Sequence, residues 1–416
     1  LAHYTDWIVG HVHSGALGWN GFMAAGMFYW LVPRLYGREL YSRAAADFHF
    51  WIATFGIILY VIAMWVSGIT QGLMWRALTP EGSLLYPNFV ETIIAIRPMY
   101  WMRLVGGSLY LIGFIIMIWN LGLTMIRGKA VETTVTVLEE DFQETRSESS
   151  VIFSPAAILL ILAVFAGLAF FYVSLIFAAI LLVVMVALGF ASWLSNSPNG
   201  KYHRLLEGRP VMFTWFVVIA ILVGGLAELV PTVLGETKAV DGKWPIRPYT
   251  ALELHGRDIY VREGCYNCHS QMIRPFRDEE MRYGAAGKIE DYIFDRPFQW
   301  GSKRTGPDLQ RVGKKYPDIW HYHHMRDPRT ISAGSNMPTY PWLLEQKIDF
   351  ASSSAKLGAM QFLGVPYTKA DVLDAQATAE NDAKLLTSNL EEAGVKTSYD
   401  AEIVALIAYL QSLGTR

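Results

Sequence analysis

Two cysteines and a histidine stand together in the segment CYNCH, residues 265–269. They are the only cysteines of the chain, which excludes a disulfide framework. The spacing Cys-x-x-Cys-His is the attachment sequence of a c-type heme, in which Cys265 and Cys268 form thioethers with the porphyrin and His269 reaches the iron. A redox dithiol is one alternative, and half of a zinc site completed by HYHH, residues 321–324, is another. The complete motif favours covalent heme c over both.

The iron of a c-type heme takes a sixth ligand, which is a methionine or a histidine. The polar C-terminal region offers five candidate methionines: Met272, Met281, Met325, Met337 and Met360. Met272 follows His269 too closely to reach the opposite face of the porphyrin. Met337 lies in SNMPTYPW, an irregular segment stiffened by Pro338, and is far enough along the chain to do so. We therefore predict Met337 as the ligand, with an ordinary packing methionine as the alternative.

Other segments of this region are typical of small c-type cytochromes. GPDL, residues 306–309, resembles the loop whose proline carbonyl, here Pro307, orients the heme histidine. Helical patterns at 252–264 and 400–414 predict the crossing pair of helices of that fold, the second with Asp400 as its N-cap. The other histidines of the region are expected on the surface or in loops: His321, His323 and His324.

Two more histidines, His11 and His13, stand one residue apart at the start of a long apolar run. A helix turns about 100° per residue, so these side chains point about 200° apart and cannot share one metal as an i, i+4 pair would. Ionisable side chains in a membrane span are costly and usually functional. We predict that each binds the iron of a separate heme; buried histidines bonded to neighbouring helices are the alternative. Four glycines leave room for a porphyrin or for close helix packing: Gly10, Gly15, Gly18 and Gly21.

The hydropathy of the chain predicts the elements that position these residues. Of 416 residues 52% are hydrophobic, and the formal net charge of -2 favours neither a nucleic-acid binder nor a polyanion. As one helix the run 156–194 would be ~58 Å long, nearly twice the ~30 Å hydrocarbon core, so it is predicted to be a hairpin. The expected fold is mostly α, with about six transmembrane spans and a class I-like cytochrome c domain. The apolar runs are 8–32, 49–75, 99–126, 156–194 and 211–233.

Basic residues between these runs predict the orientation of the chain. They mark the connections that would face the cytoplasm: Arg34, Arg38, Arg43, Arg127, Lys129, Lys201, Arg204 and Arg209. His11 and His13 then lie near the outer membrane surface, and the last run places CYNCH on the same side, in the periplasm. The first run follows the start of the sequence at once and has no signal-peptide pattern, so we expect a fragment of a longer protein.

Two N-terminal segments, HYTDWIVGHVHSGALGWNGF and IRPMYWMRLVGGSLYLIGF, resemble the last three helices of the catalytic subunit of cbb3-type cytochrome c oxidases, in the heme-copper oxidase superfamily. Three later segments resemble the monoheme cytochrome c subunit of that enzyme: LLEGRPVMFTWFVVIAILVGGLAELVPT, PYTALELHGRDIYVREGCYNCHSQMIRPFRDE and DRPFQWGSKRTGPDLQRVG. The resemblance implies that the two subunits are fused. With the hydropathy it predicts catalytic-subunit helices at 1–130, a cytoplasmic linker at 131–155, an unassigned hairpin at 156–194, a membrane anchor at 195–235 and a periplasmic cytochrome c domain at 236–416.

The resemblance also implies roles for membrane residues. His11 resembles the proximal ligand of the high-spin heme b, where dioxygen binds, and is the predicted catalytic residue. His13 resembles one axial ligand of the low-spin heme b. The family holds copper with histidines on earlier helices, so copper would be supplied by residues outside this chain. Four outer residues are expected near heme propionates, with interfacial anchoring as the alternative: His3 and Asp6, and Arg76 and Arg97 in the outer loop.

The implied function is that of a respiratory oxidase in the bacterial inner membrane. Electrons from a diheme cytochrome c subunit or soluble cytochrome c reach heme c at His269 and Met337, pass to the low-spin and then the high-spin heme b, and reduce dioxygen to water with proton pumping. Other expected partners are the N-terminal remainder of the catalytic subunit and membrane lipid, without nucleic acid. Two alternatives stay open: a nitric oxide reductase-type complex, with non-heme iron in place of copper, and a membrane-anchored cytochrome that only carries electrons.

Overall fold

The structure is a computed structural model that describes residues 2–132 and 246–416, with a few helical positions between them: 158, 161, 162, 165, 184, 214, 215 and 217–226. Leu1–Thr133 and Lys238–Arg416 form one compact unit, and Thr134–Thr237 form another. Within the described ranges the chain is helical, and β-pairing is limited to isolated bridges. The predicted mostly α fold is therefore confirmed for these residues. We call residues 2–132 the membrane half and residues 246–416 the cytochrome domain.

The membrane half forms three long helical segments. In chain order they contain α1 (Asp6–His13), a π-helix (Ser14–Gly21) and α2 (Phe22–Leu35) in direct succession, then α3 (Arg43–Arg76), then α4 (Phe89–Arg127). Among the described residues, α3 and α4 are the helices long and apolar enough to cross a membrane. They contain the predicted spans 49–75 and 99–126, and both helices begin earlier than predicted.

The start of α4 differs from the prediction. The sequence pattern places it after Pro98, but the helix begins at Phe89, where Asn88 caps it by accepting a hydrogen bond from the backbone nitrogen of Val90 at 3.0 Å. Membrane helices tolerate proline because neighbouring groups satisfy the freed backbone atoms. Arg97, expected in the outer loop, therefore lies within α4.

Glycines let the helices of the membrane half approach each other closely. A Cβ atom on Gly56 of α3 would lie 2.7 Å from the carbonyl oxygen of Gly106 in α4, and one on Gly68 would lie 2.2 Å from the backbone nitrogen of Trp7. Larger residues there would push α3 away from α4 and from the start of α1. Small residues at crossings allow such packing between membrane helices.

The predicted elements between the two described parts stay predictions. The linker at 131–155 and the hairpin at 156–194 lie almost entirely outside the described residues. Of the predicted anchor at 211–233, the structure describes a short apolar helix, α5 (Val217–Leu226).

The cytochrome domain consists of short helices around one core. They are α6 (Ala251–Arg262), α7 (Arg277–Tyr283), α8 (Asp318–Arg326), α9 (Ser353–Phe362), α10 (Lys369–Leu373), α11 (Ala375–Glu392) and α12 (Glu402–Ser412). The core is built largely from α6, α11 and α12. A capping box begins α6: Thr250 Oγ1 accepts a hydrogen bond from the backbone nitrogen of Glu253, and the Glu253 carboxylate accepts one from that of Thr250.

As predicted, the first and last helices of this domain pack against each other. Gly256 makes the close approach possible, since a Cβ atom there would lie 1.9 Å from the carbonyl oxygen of Ala405. The predicted N-cap is wrong: α12 begins after Ala401, because the Asp400 carboxylate accepts hydrogen bonds from Lys347 and Ser398 instead. Helix α11 was not predicted, because its apolar face consists mainly of alanines.

Candidate functional site

One cavity of about 360 Å³ brings together most of the predicted ligands of the cytochrome domain. Its lining includes Cys265, Cys268, His269, Pro307 and Met337. Residues of α6, α7, α8 and α12 and of the loops between them also line it. Segments far apart in sequence therefore meet at one enclosed space lined by two thiols, an imidazole and a thioether.

A short turn presents the CYNCH motif to this cavity. Gly264, in the left-handed region at φ +70°, ends α6, and a 3₁₀ turn follows at Cys265–Asn267. The backbone nitrogen of His269 donates to the carbonyl oxygen of Cys265 at 2.9 Å. The turn thus fixes the positions of both thiols and the imidazole relative to one another.

A hydrogen bond to the backbone orients the imidazole of His269. Its Nδ1 donates a hydrogen bond to the carbonyl oxygen of Pro307 at 2.8 Å, the interaction that the GPDL segment predicts. The opposite nitrogen, Nε2, then carries no proton and is the one available to a metal. Burial lowers the pKa of His269, which favours the neutral ring that metal binding requires.

Two of the five candidate methionines for the sixth iron ligand line the cavity. Met337 lines it and is half-buried, and Met325 of α8 lines it as well. Met360 is buried in the core of the domain and does not belong to the lining, and neither do Met272 and Met281. The structure thus brings Met337 to the same cavity as His269 without excluding its neighbour Met325.

The expectation of surface histidines at HYHH is wrong for His321. These histidines lie on α8, and His321 is 1% exposed. His321 and His324 both line the cavity, and each has a buried ring nitrogen without a hydrogen-bond partner. Burial lowers the pKa of each to about 4, so both rings are neutral at pH 7. His321 and His324 are three residues apart on one helix, a spacing that puts both side chains on the same face.

The zinc and dithiol alternatives gain no support. No group of three or more His, Cys, Asp or Glu side chains converges on a metal site anywhere in the described residues. Burial raises the pKa of the Cys265 thiol to about 12, whereas a reactive dithiol requires a lowered one.

The membrane half supplies one side of the same cavity. Its lining includes residues from the first turns of α4 and the loop before it: Pro87, Asn88, Phe89, Val90 and Ile93. Trp75, near the end of α3, stacks on Phe89 with ring centroids 5.6 Å apart. No sequence pattern indicated this contribution, because it depends on how the two parts of the chain pack.

A buried ionic cluster joins the cytochrome domain to the membrane half. Arg304 is 1% exposed and pairs with Glu279 at 3.0 Å and with Asp308 at 3.2 Å. Its guanidinium lies 4.2 Å from the ring centroid of Tyr4, and its backbone nitrogen donates to the Tyr4 carbonyl oxygen at 2.7 Å. Asp308 directly follows Pro307, so this cluster connects the His269 support with the segment preceding α1. No sequence pattern predicted this cluster, because its members come from distant segments.

Further arginines of α7 donate across the same boundary. Arg277 donates to the carbonyl oxygen of Gly82 at 3.0 Å, and Arg282 donates to that of Tyr86 at 2.7 Å. Their guanidinium groups thus satisfy backbone carbonyls of the loop between α3 and α4.

His11 and His13 have different surroundings. His13 is half-buried, its Nδ1 donates to the carbonyl oxygen of Val9 at 2.8 Å, and its ring lies 4.9 Å from that of Tyr60 in α3. His11 is exposed and stacks on Trp7 at 5.4 Å. As with His269, the hydrogen bond of His13 leaves Nε2 available.

The glycines near these histidines fall into two groups. Gly10 and Gly21 are packing positions, since Cβ atoms there would lie 2.8 Å from Trp65 and 2.4 Å from the Tyr110 hydroxyl. Gly15 has nothing within 4 Å, and Gly18 has a single contact at 3.9 Å. The π-helix that contains these last two was not predicted; such helices are frequent at functional sites.

The outer polar residues engage protein groups. Asp6 is 2% exposed; its carboxylate accepts from Ser67 Oγ at 2.7 Å, and its backbone nitrogen donates to Gln71 Oε1 at 2.6 Å. His3 Nδ1 accepts from Arg274 at 3.2 Å. Two arginines complete this set: Arg76 is exposed at the end of α3, and Arg97 contacts the cytochrome domain.

Two family models match the chain. Residues 203–416 match the family described as cytochrome c oxidase, mono-heme subunit/FixO, and residues 1–109 match cytochrome c and quinol oxidase polypeptide I.

The curated relatives align with the N-terminal part. The chain is 56% identical over 131 residues to the cytochrome c oxidase subunit 1 homolog, bacteroid, of Bradyrhizobium diazoefficiens, covering 31% of this chain and 24% of that protein. It is 46% identical over 133 residues to the cbb3-type cytochrome c oxidase subunit CcoN1 of Stutzerimonas stutzeri, covering 32% and 28%. The chain thus spans about a quarter of the length of these relatives. With more than half of its residues in the mono-heme subunit match, the chain belongs to the cbb3-type cytochrome c oxidases of the heme-copper oxidase family, with its mono-heme (FixO) subunit region at the C-terminus.

Proposed function

We propose that this chain is the electron-transferring part of a respiratory terminal oxidase that reduces dioxygen to water and pumps protons. Cys265 and Cys268 attach heme c, and His269 and Met337 bind its iron. His13 is one axial ligand of a low-spin heme b, and His11 is the proximal ligand of the high-spin heme b at which dioxygen reacts. Copper is supplied by residues outside this chain.

The hydrogen bond from His269 to the Pro307 carbonyl carries the heme c assignment. It fixes the tautomer that leaves Nε2 free, as the outer partners of metal-binding histidines do. Both thiols of the motif and the Met337 thioether line the cavity beside this ring. A heme iron held by histidine and methionine supplies reversible one-electron chemistry at raised potential.

The two membrane histidines fit separate hemes. Like His269, His13 donates a hydrogen bond from Nδ1 to a backbone carbonyl, here that of Val9, and its ring faces α3. His11 is exposed, and the open positions at Gly15 and Gly18 follow it along the same helical segment. A flat porphyrin needs such space beside its ligand, whereas an ordinary packing histidine is enclosed by side chains.

The proposed location is the bacterial inner membrane, with the heme c domain in the periplasm. The basic residues between α2 and α3, and those that follow α4, support this orientation: Arg34, Arg38, Arg43, Arg127 and Lys129. The contact between Tyr4 and Arg304 keeps the start of α1, and with it His11 and His13, at the end of the bundle next to the cytochrome domain. The proposed partners are the remainder of the catalytic subunit, the diheme subunit and soluble cytochrome c donors.

A heme and metal inventory of the purified assembly tests this function. We expect both b- and c-type heme in the pyridine hemochrome spectrum, one heme covalently attached to the peptide with Cys265 and Cys268, and copper. An assembly containing c-type heme alone would indicate a membrane-anchored electron carrier. Non-heme iron in place of copper would indicate a nitric oxide reductase-type complex.

A further inference from the structure

The segment before Met337 contacts the membrane half directly. Arg97 of α4 donates a hydrogen bond from Nη2 to the carbonyl oxygen of Gly334 at 3.1 Å. Gly334, at φ +86°, lies against the same helix, since a Cβ atom there would be 3.1 Å from Ile94 Cδ1 and 3.2 Å from Val90 Cγ1. Residues 334–338, the ligand loop, therefore begin on the surface of α4.

The ligand loop has few interactions that fix it from within. The backbone nitrogen of Met337 donates to Ser335 Oγ at 3.2 Å, and that of Ser335 donates to the carbonyl oxygen of Ser332 at 3.0 Å. Both bonds are local, so they shape the loop without setting its distance from His269. Outside the loop, Gly334 contacts α4, Met337 packs against the core of the cytochrome domain, and the backbone nitrogen of Tyr340, just after the loop, donates to the Met325 carbonyl oxygen at 2.9 Å. The contacts of Gly334 are the ones that tie the loop to the membrane half.

The same stretch of α4 also lines the cavity that holds Met337. Val90 belongs to the lining, and so does Ile93, which is 3% exposed. One helix of the membrane half thus contacts both the cavity and the start of the ligand loop.

We propose that α4 positions the ligand loop, and that Arg97 is a positioning residue for the axial methionine of heme c. The inference rests on the proposed function, because it requires Met337 to bind the iron. A loop tied to α4 keeps the thioether sulfur within reach of the iron, so docking of the two parts and methionine ligation are coupled. Loss of one hydrogen bond shifts such an equilibrium by about fivefold.

The test compares three variants of the full chain in its assembled complex: Arg97→Gln, Arg97→Lys and Arg277→Gln. The last is a matched control, because Arg277 also donates one bond to a glycine carbonyl across the boundary, at 3.0 Å from Gly82, away from the ligand loop. Imidazole is titrated into the oxidised protein while the methionine-to-iron charge-transfer band is followed. Covalent heme content, equal in all samples, controls for folding.

We expect Arg97→Gln to bind imidazole about fivefold more tightly at heme c, because methionine competes less well. Its heme c reduction potential falls as well, since methionine ligation raises the potential. Arg97→Lys keeps a cationic donor and stays close to the unsubstituted protein, as does Arg277→Gln.

Two results would overturn the inference, and they differ. If Arg97→Gln behaves like Arg277→Gln, α4 does not position the loop, while the heme c assignment stands. If the unsubstituted protein carries covalent heme but lacks the methionine band, Met337 is not a ligand, and the ligand assignment fails together with the inference.

Discussion

The cytochrome domain and the membrane half present their candidate iron ligands in opposite ways. In the cytochrome domain a turn, a loop and three helices enclose the ligands in one cavity. In the membrane half the ring of His13 packs against Tyr60, whereas His11 is exposed and precedes Gly15 and Gly18, which have free space around them. The CYNCH motif finds the other residues of its site within its own chain, so folding of the chain assembles that site. The two opposed histidines of α1 need further residues on the exposed side of their helix, and we propose that the rest of the catalytic subunit supplies them.

The boundary between these regions belongs to both of them. Residues of α4 line the cavity, and the Tyr4 segment accepts a hydrogen bond from the buried Arg304. The two regions therefore share one interface, although they surround their candidate iron ligands differently.

Removal of one ligand in each region gives the largest expected effect and tests whether they bind separate hemes. We expect His269→Ala to abolish the methionine-ligated spectrum of heme c while the b-type signals remain. We expect His13→Ala to lose the low-spin b-type signal while covalent heme c remains. Visible spectra and pyridine hemochromes at equal protein concentration measure both. Parallel loss of both heme types in either variant would contradict separate sites.

The second test concerns the buried ionic cluster around Arg304, at the interface between the cytochrome domain and the membrane half. Arg304→Met leaves the Asp308 carboxylate buried without a cationic partner, while Glu279 keeps its pair with Arg274. We therefore expect it to lower the free energy of unfolding by about 3–5 kcal/mol. Chemical unfolding of the detergent-solubilised chain, followed by heme c absorbance, measures it. The control is Arg329→Met at the exposed pair with Asp327, for which less than about 1 kcal/mol is expected. Equal losses would mean that the buried cluster adds nothing to this interface.

A smaller effect is expected where α6 crosses α12. Gly256→Ala places a methyl group 1.9 Å from the Ala405 carbonyl oxygen, so the helices must separate, at a cost of about 1–3 kcal/mol. Gly358→Ala in α9 is the control, because its only near neighbour is Val372 at 3.9 Å. There we expect stabilisation by about 0.5–1 kcal/mol. Unfolding midpoints of the two variants in the same detergent compare them, and similar values would contradict the tight crossing.

The smallest expected effect is a pH dependence confined to the cytochrome domain. Burial, and then the charge of Lys356, lower the pKa of His255 to about 4, although Asp258 and Asp349 oppose this; its Nε2 hydrogen-bonds Ser353 at 2.9 Å. The unfolded chain, with a histidine pKa of about 6.5, takes up the proton first. The free energy of unfolding therefore falls as pH drops from about 6.5 to about 4, and the contribution is fully present above that window.

His255→Gln should flatten this dependence. Unfolding measured at several pH values between these limits compares the variant with the unsubstituted chain. An identical slope in both would assign the acid sensitivity to other groups.

Much of the framework was predictable because it depends on local chain properties. A membrane span requires one long apolar run, so hydropathy located α3 and α4 apart from their first turns. The CYNCH motif and GPDL are short, and the bond between His269 and Pro307 followed from them. The errors occurred where local patterns are ambiguous, as at Pro98 and Asp400, or weak, as in the alanine-rich face of α11.

Most of the helices, the two opposed histidines of α1 and the order of thiols and imidazole in CYNCH follow from the sequence alone, since each depends on neighbours along the chain. Only the tertiary structure decided that α4 closes the cavity, that His321 is buried there and that Arg304 lies against Tyr4. These contacts join residues distant in sequence. Their geometry depends on how glycine-faced helices pack and on which buried charges find partners, and neither is encoded in any single segment.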